Sequence, residues 1–277
     1  MSSSNIKIVT INILRDLSRW EQRRWLLVEG LSAAQADIIT LQEVALPENN
    51  AAWLAEQLTN RSLEGRSYEH FLCPKTGPEP EEGIAILSRL PIEEHATLDL
   101  GSQNRVAQYI KVKTGELSLV CANVHLFWFP GKSKERLEQV DRLFKWLDGP
   151  SRETGFVLCG DFNSPPQSPT IHKVEQRWVS AYKERHGEEP NCTVPTPLPV
   201  SKLFQASTLF RFILTNWRQI PRINPGWRGT LDYIFVNDQV KVEECELILD
   251  EPAHGKPRLY PSDHFGLYAS LALGDPS

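Results

Sequence analysis

Phe-Val-Leu-Cys-Gly-Asp-Phe-Asn-Ser, residues 156–164, is the stretch that decides how this chain is read. Its apolar start has the character of a buried strand. Gly160 permits a sharp exit, and Asp161 and Asn163 stand two residues apart, on one side of a chain that stays extended. Pro165 and Pro166 then stop the strand from continuing. Three more apolar runs end in the same way: Ile6 to Ile11 leads into Asn12, Ile38 to Leu41 into Glu43, and Leu119 to Val124 into His125. Two later runs have the reverse polarity, with Asp232 ahead of Tyr233 to Val236 and Asp263 with His264 ahead of Phe265 to Leu273. If the later strands lie antiparallel to the earlier ones, a start and an end fall on one sheet edge and these groups can meet. Side chains able to bind a metal or move a proton, gathered at one edge, form the pattern of an active site.

The rest of the chain is that of an ordinary folded protein. With 277 residues, 40 % hydrophobic and 23 % charged, it can bury a sizeable core and lacks the bias of disorder. Strand and helix patterns alternate without a Gly/Ser linker, a low-complexity tract or a repeat, which predicts one domain over residues 1–277. The net charge of -5 argues against holding nucleic acid through a globally basic surface, yet a bound cation can reverse the sign at a site. The five cysteines form no Cys-x-x-Cys pair and read as small buried hydrophobes in a reducing compartment. No apolar run approaches the roughly 18 residues needed to cross a bilayer, and Met-Ser-Ser-Ser-Asn-Ile-Lys has no h-region, so the expected location is cytoplasmic.

Helical spacing links Trp20, Arg24, Leu27 and Leu31, then Trp53, Leu54 and Leu58. The clearest helix runs from Ser133, as N-cap, to Leu147, with Leu137, Val140 and Phe144 on its apolar side. Another starts at Ser168 with Pro169 at its first position. Residues 75–82 read as a loop feeding the strand Ile84 to Leu87. Residues 186–229 are the least regular part. They hold several prolines and an aromatic, basic run that includes Trp217 and Trp227, and they read either as a functional loop or as a flap packed on the core.

Taken in order, Asn12, Gln-Glu at 42–43, the Gly-Ile-Ala-Ile-Leu-Ser-Arg strand at 83–89, Asn-Val-His-Leu at 123–126, Gly-Asp-Phe-Asn at 160–163, Leu-Asp-Tyr-Ile-Phe at 231–235 and Ser-Asp-His at 262–264 closely resemble the endonuclease/exonuclease/phosphatase superfamily, with its deoxyribonuclease I-like fold. The resemblance covers almost the whole chain. It implies an α/β (α+β) four-layered sandwich, two packed mixed β-sheets flanked by helices, and hydrolysis of phosphate esters with Mg²⁺ or Mn²⁺.

Hard cations favour carboxylate, carboxamide and water oxygens, so Glu43 is the first choice as metal ligand, with Asn12 and Asp263 next to the ion or its waters. Asp161, held by Asn163, is expected to orient or deprotonate the attacking water. His264 is expected to contact the phosphate or share the proton transfer, with Asp232 fixing its tautomer. His125 matches a family histidine that donates to a phosphate oxygen or the leaving group. Glu82 is a candidate to support it, with Glu81 as an alternative, and Arg105 is a candidate phosphate contact.

This catalytic set fixes the bond cleaved and little else. Phe127-Trp128-Phe129, Trp217 and Trp227 can stack on bases at about 1–3 kcal/mol each, which favours a nucleic acid or nucleotide phosphodiester as substrate; the chain is expected to be a monomer. A sphingomyelinase-like or inositol-phosphate-type hydrolase is the alternative, since the same aromatics can dip into a lipid interface. A non-catalytic phosphate-binding member is a further class.

Overall fold

The computed structural model describes residues 4–62, 65–195 and 227–274. Among them, twelve strands form two six-stranded sheets. The first runs in the order β11 (Val240–Ile248), β12 (Gly266–Leu273), β1 (Ser4–Asn12), β2 (Ile38–Ala45), β4 (Glu82–Ser88) and β3 (Glu69–Pro74). The second runs β5 (Ile92–Asp99), β6 (Val106–Thr114), β7 (Leu117–His125), β8 (Gly155–Asp161), β10 (Asp232–Val236) and β9 (Val179–Ser180). In each sheet the central pair, β1 with β2 and β7 with β8, is parallel and the other pairings are antiparallel. Both sheets are therefore mixed, as expected.

Period-two alternation explains the layering. Ile6 and Ile8 of β1, Leu119 and Cys121 of β7, Val157 and Cys159 of β8, and Ile234 and Val236 of β10 share one cluster between the sheets. The intervening residues face outward. Val9 and Ile11 pack with α1 (Trp20–Ala34) and α2 (Asn50–Asn60), while Val120, Phe156 and Leu158 pack with α3 (Ser133–Trp146) and α5 (Pro169–Glu175). Helix, sheet, sheet, helix is the four-layered α+β sandwich. The central strands are buried on both faces, which is why they read as unbroken apolar runs.

The same alternation carries the polar residues inward at one end. Beyond Ile8 on the inner face come Thr10 and Asn12, beyond Cys121 come Asn123 and His125, and beyond Cys159 comes Asp161. Thr10, Gln42 and Asn123 form a hydrogen-bonded bridge between the sheets: Gln42 Nε2 donates to Thr10 Oγ1 at 3.1 Å and Asn123 Oδ1 at 2.8 Å. This layer lies one step below Asn12, His125 and Asp161.

Local signals held with small shifts. Ser168 caps α5 through its hydroxyl, with Pro169 at the first position. Ser133, expected as an N-cap, is instead the first helical residue of α3, after Lys132. In α1 the buried arginine is Arg23, whereas Arg24 lies over the Trp25 and Trp53 rings. Thr193 and Val194 each donate a backbone N–H to Gly229 O at 3.0 Å, bringing the two described ends of the irregular segment together. Trp217 lies outside the described residues.

Candidate active site

Ten chemistry-bearing residues gather where the two sheets present these strand ends. Asn12 ends β1, His125 ends β7, Asp161 ends β8 and Asp232 begins β10. Parallel register sets His125 opposite Asp161, and antiparallel register sets Asp232 opposite Asp161. Gly160 makes this packing possible. A Cβ there would meet Val124 O at 2.0 Å, and its φ of +138° is one that side-chain-bearing residues rarely adopt.

Glu43 reaches the site by a different route. The register of β2 against β4 shifts between Leu41 and Val44, and Glu43 sits at φ 56°. The extra residue of this β-bulge turns Glu43 toward the site and returns Val44 to the helix-packed face that Leu41 also occupies. Asn12 Nδ2 lies 3.2 Å from both Glu43 Oε1 and Asp161 Oδ2, so its amide links the carboxylates of the two sheets. Arg15 N donates to Glu43 Oε2 at 3.2 Å. Burial, and then the charges of Glu82 and Asp263, raise the Glu43 pKa above its ordinary value.

Asp161 is fully buried and receives Asn163 N on Oδ1 at 2.8 Å. The Asn163 side-chain amide donates to Leu126 O at 3.1 Å, fixing the turn after β8. Burial, followed by the Asp232 charge, pushes the Asp161 pKa up to about 7. His264 Nδ1 donates to Asp232 Oδ2 at 2.8 Å. Burial alone would lower the imidazole pKa, but Asp232 outweighs it and holds it well above the ordinary value, so the ring is charged.

His125 behaves in the opposite way. Burial, and then Arg105, drive its pKa well below the ordinary value. Arg105 Nη1 lies 2.7 Å from His125 Nδ1. Because a guanidinium only donates, Nδ1 must accept and the ring proton sits on Nε2, facing Asp161 Oδ2 at 3.4 Å. Arg105, considered from the sequence as a phosphate contact, is 4 % exposed and its Nη1 also reaches Glu82 at 3.2 Å. Glu82 therefore meets His125 through Arg105. Glu81 is exposed and pairs with Arg15.

Asp161, Asp232 and His264 have ligand atoms within 4.8 Å of one another. That spacing suits a metal by distance, but His264 Nδ1 is already committed to Asp232. The carboxylate oxygens of Glu43 and Asp263 are the donor type a hard cation requires, whereas Asn12 presents its Nδ2 to the site and its Oδ1 accepts Leu14 N at 3.0 Å, so it stands beside such a cation and not among its ligands. The burial, and after it the repulsion from Glu82 and Asp263, that raise the Glu43 pKa are what such a cation would offset.

Several residues of the site were invisible in sequence. Thr193 Oγ1 donates to Asp232 Oδ2 at 2.5 Å, and Thr193 O accepts Phe265 N at 2.7 Å, so one residue of the irregular segment touches both sides of the dyad. Arg136 and Gln139, on the buried side of α3, hold the backbone of Phe127 and Phe129. Trp128 is 38 % exposed beside them. Trp227 is half-buried and, with Arg228, Pro165 and Pro166, lines a cleft of about 530 Å³ beyond Asn163.

The model of the Endonuclease/Exonuclease/phosphatase family matches residues 9–264. Nocturnin of Drosophila melanogaster is 26 % identical over 93 % of this chain and 43 % of its own length. The 2',5'-phosphodiesterase 12 of Mus musculus is 26 % identical over 91 % of this chain and 46 % of its own. The chain thus spans about half the length of these curated relatives. Among solved structures, the human nocturnin catalytic domain with bound sulfate shares the fold, with a TM-score of 0.71, 21 % identity and 98 % of each chain covered.

Proposed function

Because the chain belongs to the endonuclease/exonuclease/phosphatase family, we propose that it is a divalent-metal-dependent phosphodiesterase acting on nucleic acid or nucleotides. The observation that carries this reading is the joining of two groups by one amide: Asn12 Nδ2 lies 3.2 Å from Glu43, in the cation half, and from Asp161, in the proton half.

Glu43 and Asp263 would hold Mg²⁺ or Mn²⁺, with Asn12 next to the ion through its bond to Glu43, and the ion when bound polarises a phosphoryl oxygen and offsets the charge that develops on it. Asp161, held by the Asn163 N–H and with a pKa of about 7, takes the proton of the attacking water. His264, charged and fixed through Nδ1 by Asp232, presents its Nε2–H to a phosphate oxygen. His125 acts as a neutral Nε2–H donor, with Arg105 and Glu82 orienting it.

Trp128 is exposed three residues after His125, and Trp227 lines a cleft with Arg228 next to the Pro165–Pro166 turn that follows Asn163. Such surfaces suit a stacked base and its phosphate. One of the relatives is named a 2',5'-phosphodiesterase, which supports a diester as the bond cleaved.

Turnover of bis-(p-nitrophenyl) phosphate in Mg²⁺, Mn²⁺ and EDTA tests the reaction class, with metal-stimulated hydrolysis expected. Folded protein that is inactive, or active regardless of metal, would point instead to a binding protein or another chemistry. A panel of single-stranded DNA, RNA, polyadenylate, sphingomyelin and inositol phosphates tests the substrate, and predominant lipid cleavage would overturn the nucleotide assignment.

A further inference from the structure

Arg23 is 4 % exposed in the first turn of α1, and its guanidinium is spent on backbone carbonyls. Nη1 donates to Ile13 O at 3.0 Å and Pro261 O at 2.8 Å, and Nη2 donates to Leu14 O at 3.1 Å and Asp16 O at 2.7 Å. Three of these acceptors lie in the loop leaving β1. The fourth lies two residues before Asp263, at the far end of the chain.

The clamped loop is also what orients the candidate cation ligands. Leu14 sits at φ 58°, a strained value for leucine. In that conformation its N–H donates to Asn12 Oδ1 at 3.0 Å, which turns the Asn12 Nδ2 toward Glu43 and Asp161. The next residue, Arg15, gives its N–H to Glu43 Oε2 at 3.2 Å. Across the junction, Ser262 Oγ donates to Asn12 O at 2.5 Å and also lies 3.3 Å from Asp263 Oδ1.

We infer that Arg23 is a positioning residue for the cation site, holding in one geometry the two loops that orient Asn12, Glu43 and Asp263. Its planar fork can serve four carbonyls at once, which an ammonium cannot do from a single point. A strained Leu14 persists only while its surroundings over-determine it, and Arg23 supplies one bond on each side of it, to Ile13 O and Asp16 O, and one to Leu14 O itself. The inference rests on the metal-dependent reading above and adds to it a residue that touches neither ion nor substrate.

The test compares Arg23→Lys with Arg89→Lys by calorimetric Mn²⁺ titration, with folding checked by circular dichroism and melting in EDTA. Arg89 is the control, since it clamps Asp37 and Gln35 O elsewhere on the first sheet. Arg23→Lys should stay folded and bind Mn²⁺ about 10–100-fold more weakly, the usual effect of losing a group that orients metal ligands. Turnover at saturating Mn²⁺ should recover most of its loss, while Arg89→Lys keeps wild-type affinity. Wild-type affinity in folded Arg23→Lys would overturn the inference. So would an equal loss in both variants, or a failure of Arg23→Lys and Arg23→Gln to fold while Arg89→Lys folds, because Arg23 would then be a general staple of the fold. If wild-type protein binds no Mn²⁺, the metal-dependent reading itself fails.

Discussion

The two sheets share one pattern of pairings, two antiparallel, one parallel and two antiparallel, yet their site ends hold different chemistry. The first sheet brings Asn12, Glu43 and Asp263, and both of these carboxylates are partly open to solvent. Glu43 is held by a side-chain amide and a backbone N–H, neither of which neutralises it. The second sheet brings His125, Asp161 and Asp232, all at most 3 % exposed and met by other side chains. Topology places an acid at a strand end. Burial and the charges around it then set how far the pKa of that acid moves.

The sharpest break of this comparison is Asp161→Asn, which leaves the cation half intact and removes the proton acceptor. Rates should fall by about 10²–10⁴-fold at saturating Mn²⁺, with Mn²⁺ affinity little changed. His264→Ala should behave alike, and near-wild-type turnover by either purified variant would refute the division of labour.

Metal itself should act on stability through the first sheet. At free Mn²⁺ about 100 times its Kd, mass action adds about 2.7 kcal/mol. With roughly 2–4 °C per kcal/mol for a domain near this size, calorimetry should show a rise of about 5–10 °C over EDTA. No shift at any concentration would remove the cation from the account. Glu43→Gln should then raise the metal concentration needed for half-maximal rate by about 10-fold or more, about 1.4 kcal/mol, while Asp161→Asn does not.

The same substitution has a pH signature in EDTA. The Glu43 carboxyl has a raised pKa in the folded protein, so folding favours its protonated form. Its contribution to stability is fully present below the unfolded value and is lost as pH rises through the folded one. Glu43→Gln should therefore gain melting temperature relative to wild type as pH rises above the ordinary carboxylate range, and a difference that shrinks instead would contradict the raised pKa that burial and the neighbouring charges give Glu43. Thr193→Val offers the smallest effect. Losing the hydrogen bond to Asp232 Oδ2 is worth about 1 kcal/mol, so kcat should drop about fivefold with Mn²⁺ affinity unchanged, alongside a loss of stability from the Leu231 and Asp232 N–H groups that the hydroxyl also accepts.

How far the sequence went can be seen residue by residue. The runs ending at Asn12, His125 and Asp161 are uninterrupted period-two strands, so the reading that put them on one edge needed only the chain direction. Asp232 and His264 followed from the reversed polarity of their strands. Glu43 was named for its position after an apolar run, but β2 continues to Ala45, and only the bulge explains why the glutamate faces the site. Arg23 and Arg24 are equivalent to a hydrophobic pattern, because either can snorkel. Arg105 stood in sequence as one arginine among many. Its burial between Glu82 and His125 depends on strands 20 or more residues away.

By itself, then, the amino-acid order determined which segments are strands buried on both faces, which end of each carries polar chemistry, and the family these ends resemble. These are local properties of side-chain period and polarity. Tertiary structure alone decided which acids and which histidine have their pKa raised, which histidine has it lowered, and which loops are clamped. Those depend on desolvation and on partners that the fold brings from distant parts of the chain, as Pro261 is brought to Arg23.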